Sequence, residues 1–204
     1  MSGAPDLDAV RGEMRRRRAS LSDRDRAGRS ARICAALMSE PRYLRATTVG
    51  LYWPVRGEVD LTPLLDDLWD RERAPCLPVV AARGNRMRFH RIAAESPMRT
   101  DRFGIPGPST PAPVRRAELD LILTPVVAFD ACGHRLGMGA GYYDRFLAPL
   151  LHRQRPARPL VLGCAYGFQE LDGLPAEPWD VPLDGVVTED GTRWFGRDRT
   201  CATG

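Results

Sequence analysis

Apolar residues in this chain are gathered into runs of strand length, the longest near Val126 to Phe129 and Leu160 to Ala165. No window approaches the roughly 18 apolar residues that a membrane crossing needs. Most of these runs are followed by a segment of helical period or by a proline-rich loop. Strands that alternate with helices build a parallel sheet, because parallel neighbours need long crossover connections that cover the faces of the sheet. The expected fold is therefore α/β: a single layered α/β/α domain around a mostly parallel sheet, with the N-terminal helices packed on it. At 204 residues one domain accounts for the chain, with a core of about 7–190 and a C-terminal tail at 191–204. With 43% hydrophobic and 27% charged residues, the composition supplies a core and excludes wholesale disorder.

From Asp6 to Met38 the spacing predicts two helices, with Val10, Met14 and Leu21 on one stripe and Ala27, Ala31, Cys34 and Met38 on another. The break falls at residues 19–22, where Ser22 followed by Asp25 has the form of a capping box, and Pro41 ends the second helix. Thr47 to Trp53 reads as a buried strand closed by Pro54 and Gly57, and Leu61 to Arg73 as a helix. Pro75 to Val80 is expected to be a central strand and Met87 to Ile92, which alternates strictly, a one-sided one. Residues 97–113 carry five prolines and predict an extended loop with neither helix nor central strand. Leu119 to Phe129 reads as a strand interrupted by proline, Tyr142 to Gln154 as a helix, and Pro159 to Cys164 and Gly185 to Thr188 as two further strands.

The first residues lack the apolar core of a secretory signal, and Asp6, Asp8 and Glu13 do not suit a transit peptide, so a cytoplasmic protein is expected. Five cysteines without Cys-x-x-Cys spacing read as buried thiols, with neither a disulfide framework nor a zinc site. Three scattered histidines build no metal site. All 30 basic residues are arginines, so any phosphate must be gripped by a guanidinium. The run Arg15 to Arg18, with Arg24, Arg26, Arg29 and Arg32, raises a nucleic-acid-binding alternative. Interspersed Glu13, Asp23 and Asp25 and the lack of interleaved aromatics favour a solvated helical face instead, and no nucleic-acid partner is expected.

The stretch with most chemical content is Phe129 to Arg145, which contains Gly137, Gly139 and Gly141 at alternate positions just before a helix. Glycines let the backbone approach an anion closely, and a helix start offers unpaired amides and a positive dipole end. Neither the dinucleotide fingerprint nor the Walker loop fits, since position 142 is Tyr and no Gly-Lys-Ser/Thr follows. Asp144 stands where a carboxylate can hold a magnesium ion against phosphates, and Arg135 and Arg145 bracket the loop. The alternative for Asp144 is simple compensation of the helix dipole.

The run from Phe129-Asp130 through Arg135-Leu-Gly-x-Gly-x-Gly-Tyr-Tyr-Asp144 resembles the signature of the 5-formyltetrahydrofolate cyclo-ligase family. Gly57-Glu-Val-Asp60 and the segment Trp179 to Glu189 extend the resemblance over most of residues 7–190. It implies ATP contacts at Arg135, Leu136, Gly137, Met138, Gly139, Ala140, Gly141, Tyr142 and Tyr143, with Met138 to Tyr142 also touching folate. It implies magnesium on Asp144 and Asp180, folate contacts at Trp53 and Glu58, and a nucleotide contact at Arg11. The family's helical Lys falls on Leu7, so Arg11, or Arg15 one turn on, must supply the cation. At Leu61 many relatives have Thr. The implied reaction is ATP- and magnesium-dependent closure of 5-formyltetrahydrofolate to 5,10-methenyltetrahydrofolate by a monomeric enzyme, with Arg135 and Asp144 at its catalytic centre. A folate- or nucleotide-binding paralogue without that activity is the alternative.

Overall fold

The computed structural model describes residues 6–81, 86–151 and 159–196. Asp6 accepts from the Asp8 amide to open α1 (Leu7–Ser20), and Ser22 accepts from the Asp25 amide at 3.1 Å to open α2 (Asp23–Ser39), so the capping residues mark both starts. Pro41 does more than end α2: it occupies the first turn of a short α3 (Pro41–Arg45), where its missing N–H costs nothing. The next elements are β1 (Thr48–Gly50), α4 (Pro63–Asp70), β2 (Ala74–Val80), β3 (Met87–Arg91), β4 (Met98–Thr100), β5 (Pro106–Pro108) and β6 (Pro113–Val114). After them come β7 (Leu121–Pro125), β8 (Ala128–Asp130), β9 (Arg135–Leu136), α5 (Tyr142–Leu147), β10 (Leu160–Cys164), β11 (Glu170–Leu171), β12 (Gly185–Thr188) and β13 (Gly191–Trp194).

Eight strands form the main sheet in the order β13-β12-β10-β7-β1-β2-β3-β6. The run from β12 to β2 is parallel, and β13, β3 and β6 add antiparallel strands at the two edges. Period-two burial explains the layers. Leu121, Leu123, Leu162 and Val187 point to one face, where they meet Ile33 and Leu37 of α2, Tyr43 of α3 and Leu64 and Leu68 of α4. Their neighbours Ile122, Val161 and Val186 point to the other face, toward Leu147 and Leu150. Asp120 accepts from the amides of Thr47 and Thr48 at 2.7 and 3.2 Å, tying the start of β1 to that of β7.

Several boundaries differ from the sequence reading. The buried stripe of α2 is Ser30, Ile33, Cys34 and Leu37, with Ala27 and Ala31 exposed, because turning Ile and Leu inward removes more apolar surface from water. β1 stops at Gly50, leaving Trp53 in the following loop. The helix expected to reach Gln154 ends at Leu147 in a single tight turn over Ala148–Leu150, since Pro149 has no amide to continue it; Gln154 lies outside the described residues. Residues 97–113 hold no central strand, but β4 and β5 pair as a small hairpin. Gly191–Trp194, assigned to a tail from sequence, forms the edge strand β13. Cys34, Cys76 and Cys164 are buried free thiols, whereas Cys132 is disulfide-bonded, contrary to the reading of all five as thiols.

The N-terminal helices were both expected on the main sheet. Only α2 packs there; α1 places Leu7, Val10 and Met14 against Val127, Ala128, Leu136 and Leu174, on the separate small sheet β11-β8-β9. Leu7, where the family pattern has Lys, is thus part of the apolar contact that docks the helix.

At Gly185 an added Cβ would stand 2.6 Å from the Arg193 carbonyl oxygen and 2.9 Å from the Trp194 ring. Gly185→Ala is expected to cost about 1–3 kcal/mol by forcing β13 away from β12. Urea unfolding should show a lower midpoint with an unchanged slope; a midpoint equal to that of the parent would mean that the edge strand gives way freely.

Candidate active site

From β1 the chain crosses to β2 on one side of the sheet and later returns to β7 on the other, so the loops leaving β1 and β7 part company. In open α/β sheets that switch point, at the carboxyl ends of the strands, is where ligands bind. The loop after β1 carries Trp53 and Glu58; the path after β7 leads through β8 and β9 into the glycine run.

The first loop turns at Arg56 and Gly57, both with positive φ (51° and 74°). This turn sends Glu58 inward, where it is only 9% exposed. The Val55 amide donates to its Oε2 at 3.2 Å, and Arg18 Nη1 stands 3.9 Å from its Oε1. Burial pushes the Glu58 carboxyl up to about 7, against the smaller opposing pull of the Val55 amide and Arg18. Trp53 packs, half-buried, against the core cluster around Ile33 and Val49.

The second loop is held at its root by Asp130. This buried carboxylate accepts from the amides of Cys132 and His134 at 2.9 Å and of Leu174 at 3.0 Å, and pairs with His134 Nδ1 at 2.9 Å. The turn so fixed delivers Arg135 and Leu136 on β9 and then the glycines. Gly139 and Gly141 adopt φ of 93° and 65°, open to glycine at little cost. From α1, Arg11 Nε donates to the Gly137 carbonyl at 2.9 Å, and an added Cβ at Gly139 would lie 3.7 Å from its guanidinium. Arg145 Nη2 donates back to the Ala140 carbonyl at 2.7 Å and stacks over Tyr142, whose ring also meets Phe103 edge-on. Met138 sits exposed at the tip of the loop.

Arg135 is buried, where it donates to the Val181 carbonyl and pairs with Asp144 in the first turn of α5. The charges of both Asp144 and Asp180 act on its guanidinium, so the two carboxylates that the resemblance assigns to magnesium share one arginine. Among the described residues no group of three or more metal-ligating side chains occurs. Magnesium commonly takes only one or two carboxylates and completes its shell with phosphate oxygens and water, and this hard-oxygen pair fits that pattern. The Tyr143 hydroxyl is buried without a hydrogen-bond partner, and burial with the nearby Glu58 charge pushes its phenol up.

The structure brings Arg11 onto the glycine loop and Asp144 onto Arg135, while Glu58 is held by Val55 and Arg18 in the loop after β1. Arg15 is not among them. Its Nε donates to the Arg11 carbonyl, and its side chain lies on a different cleft with Arg18, Arg26 and Arg56, because one turn along α1 carries it about 6 Å past the loop. The basic run is not a uniform stripe either: Arg16 and Arg17 both pair with Glu13, Arg18 is buried, and Arg29 pairs with Glu189. The sequence placed Arg18 in an exposed basic run, whereas it is buried, and gave no role to the core tyrosines Tyr52 and Tyr166, whose hydroxyls donate to the Val59 and Glu58 carbonyls. Their polar ends inside apolar runs were the available signal.

Fold and site together define a layered α/β enzyme with a glycine-rich, carboxylate-flanked loop at the switch point of its sheet. Comparison with known proteins narrows the class. A model described as the 5-formyltetrahydrofolate cyclo-ligase family matches residues 5–189. A 5-formyltetrahydrofolate cyclo-ligase of Haemophilus influenzae is 35% identical over 87% of this chain and 95% of its own length, and that of Escherichia coli K12 is 34% identical over 86% and 96%. The solved 5,10-methenyltetrahydrofolate synthetase of Aquifex aeolicus superposes with a TM-score of 0.80 at 35% identity, covering 94% of this chain and 93% of that one. The chain belongs to the 5-formyltetrahydrofolate cyclo-ligase family and is a ligase of folate metabolism.

Glu58 makes stability depend on pH. Its carboxyl is raised from 4.5 in the unfolded chain to about 7 in the folded one, so between those values the folded state holds a proton that the unfolded state releases. The contribution of Glu58 to stability is fully present below pH 4.5 and is lost as pH rises to about 7, by about 3 kcal/mol in all. Glu58→Gln is expected to match the parent near pH 4.5 and to exceed it by that margin at pH 8 in urea midpoints. A difference independent of pH would show that the Glu58 carboxyl is not the source.

Proposed function

We propose that this protein closes 5-formyltetrahydrofolate to 5,10-methenyltetrahydrofolate at the expense of ATP, within one domain and in the cytoplasm. The observation that supports the reading is the seating of Arg11 on the glycine loop beside the Arg135–Asp144 pair, in a chain of this family. A formamide oxygen leaves poorly, so it must first be activated. The formyl oxygen takes the γ-phosphoryl group and ADP departs. The amine at position 10 then attacks the activated carbon and loses its proton, and phosphate leaves with the former formyl oxygen.

Phosphoryl transfer of this kind asks the protein for alignment and charge neutralisation and needs no protein nucleophile. The amides of residues 137–141 and the Arg11 guanidinium would hold the phosphates. Arg135 keeps Asp144 in position and adds positive charge behind it. Asp144 and Asp180 would hold a magnesium ion, whose contribution is to offset phosphate charge. Glu58 suits the amino-pyrimidine edge of the pterin, with Trp53 as an apolar wall and the idle Tyr143 hydroxyl close by. Leu7 does not argue for an inactive paralogue, since Arg11 already brings a cation to the loop.

The direct test mixes the purified protein with 5-formyltetrahydrofolate, ATP and magnesium and follows the absorbance of the methenyl product; no product at any magnesium level would sink the reading. Asp144→Asn is expected to fold but to lose most turnover at limiting magnesium, and near-normal turnover there would reduce Asp144 to a helix-dipole residue. Arg11→Ala should weaken ATP about ten- to a hundredfold, the scale of a lost charge-assisted contact, whereas Arg17→Ala should change it little. Equal losses for Arg11→Ala and Arg17→Ala at low salt, both fading at high salt, would indicate a diffuse basic surface rather than a specific contact.

A further inference from the structure

A second cleft, apart from the glycine loop, is walled by arginines. Arg15 and Arg18 come from the end of α1, Arg26 from α2 and Arg56 from the turn after β1, and with Ala19 and Gly57 they enclose about 440 Å³. Arg18 is 1% exposed, yet its Nε and Nη2 have no hydrogen-bond partner. Its ion-pair partner Glu58 lies at 3.9 Å, beyond hydrogen-bond distance. Arg26 repeats the pattern: its Nε is buried and idle, its Nη2 makes a 3.3 Å bond to the Leu21 carbonyl, and its partner Asp23 is fully exposed at 3.5 Å.

Idle buried donors are rare in folded proteins, and a buried cation without a full complement of acceptors is the costliest kind. Four arginines line this cleft, and the buried carboxylate beside it, Glu58, feels only Arg18 and Arg56 and has its own charge suppressed by burial. Burial works against the Arg18 cation, and Glu58 offsets that only in part. Guanidinium forks match the oxygens of carboxylates and phosphates, so an oxyanion would take up the idle N–H groups and neutralise the field in one step.

We infer that this cleft binds a small multivalent oxyanion, its oxygens engaging the idle donors of Arg18 and Arg26, with Arg15 and Arg56 at the rim. Two sources share that chemistry. One is inorganic phosphate; the other is the carboxylates of a γ-linked glutamyl chain on a folate, which rests on the function proposed above.

The test titrates inorganic phosphate and, separately, tri-γ-glutamate into the parent protein and into the Arg26→Gln/Arg56→Gln double variant by calorimetry at low salt. Both substituted residues are at least partly exposed, and Arg18 stays in place beside Glu58. The expected result is binding of at least one probe to the parent and about tenfold or weaker binding to the variant, with ATP titration unchanged. The probe that responds identifies the source. Phosphate held at the glycine loop would bind both proteins equally; that outcome, or no binding of either probe, overturns the inference. Neither probe is turned over, so loss of this site leaves the cyclisation assay to stand or fall by itself.

Discussion

Both faces of the parallel strands must be kept from water, and the rest of the molecule follows from that requirement. Successive residues of β7, β10 and β12 enter opposite apolar clusters, so helices or tight turns must cross each face. A sheet wound outward in both directions from its middle has one place where neighbouring connections diverge. At the carboxyl ends of β1 and β7 these connections diverge, and the loops that follow carry Glu58 and the glycine run, with Arg11 reaching in from α1.

What fills the gap is a set of buried or half-buried charges held by few contacts. Arg135, Glu58 and Arg18 are taken out of water, where hydrogen bonds and ion pairs gain strength and missing ones cost more. The glycine loop is fixed at three points: Asp130 grips its root, Arg11 its middle and Arg145 its far end. Such a loop meets an anion with little left to reorganise, which is the condition under which fixed dipoles and charges lower a phosphoryl-transfer barrier. The idle donors of Arg18 lie beside Glu58, so unpartnered polar groups border the loop after β1.

The departure at position 7 shows how one helix serves two demands. Leucine there adds to the apolar seam between α1 and the small sheet, and that seam sets the distance at which Arg11 reaches Gly137. A residue that reads as a lost ligand in the sequence is, in the fold, part of what positions the remaining one.

Much was legible in the order of residues. Ser22 with Asp25 marked a helix start, alternation in Met87 to Arg91 marked a one-sided strand, and the glycines before Tyr142 marked the loop that a ligand approaches. These signals are local, set by caps, side-chain period and backbone freedom, so the chain carries them without knowing its neighbours. The choice of Arg11 over Arg15, the burial of Arg18, the pairing of Arg135 with Asp144 and the capture of Gly191–Trp194 as an edge strand were not legible. The arginines of α1 look alike in sequence, and only the docking of the helix turns Arg11 toward a carbonyl 126 residues away and Arg18 into the core. Elements and motifs thus came from the sequence, while partners came from tertiary packing, because charge and burial are properties of the space a side chain enters and not of its place in the chain.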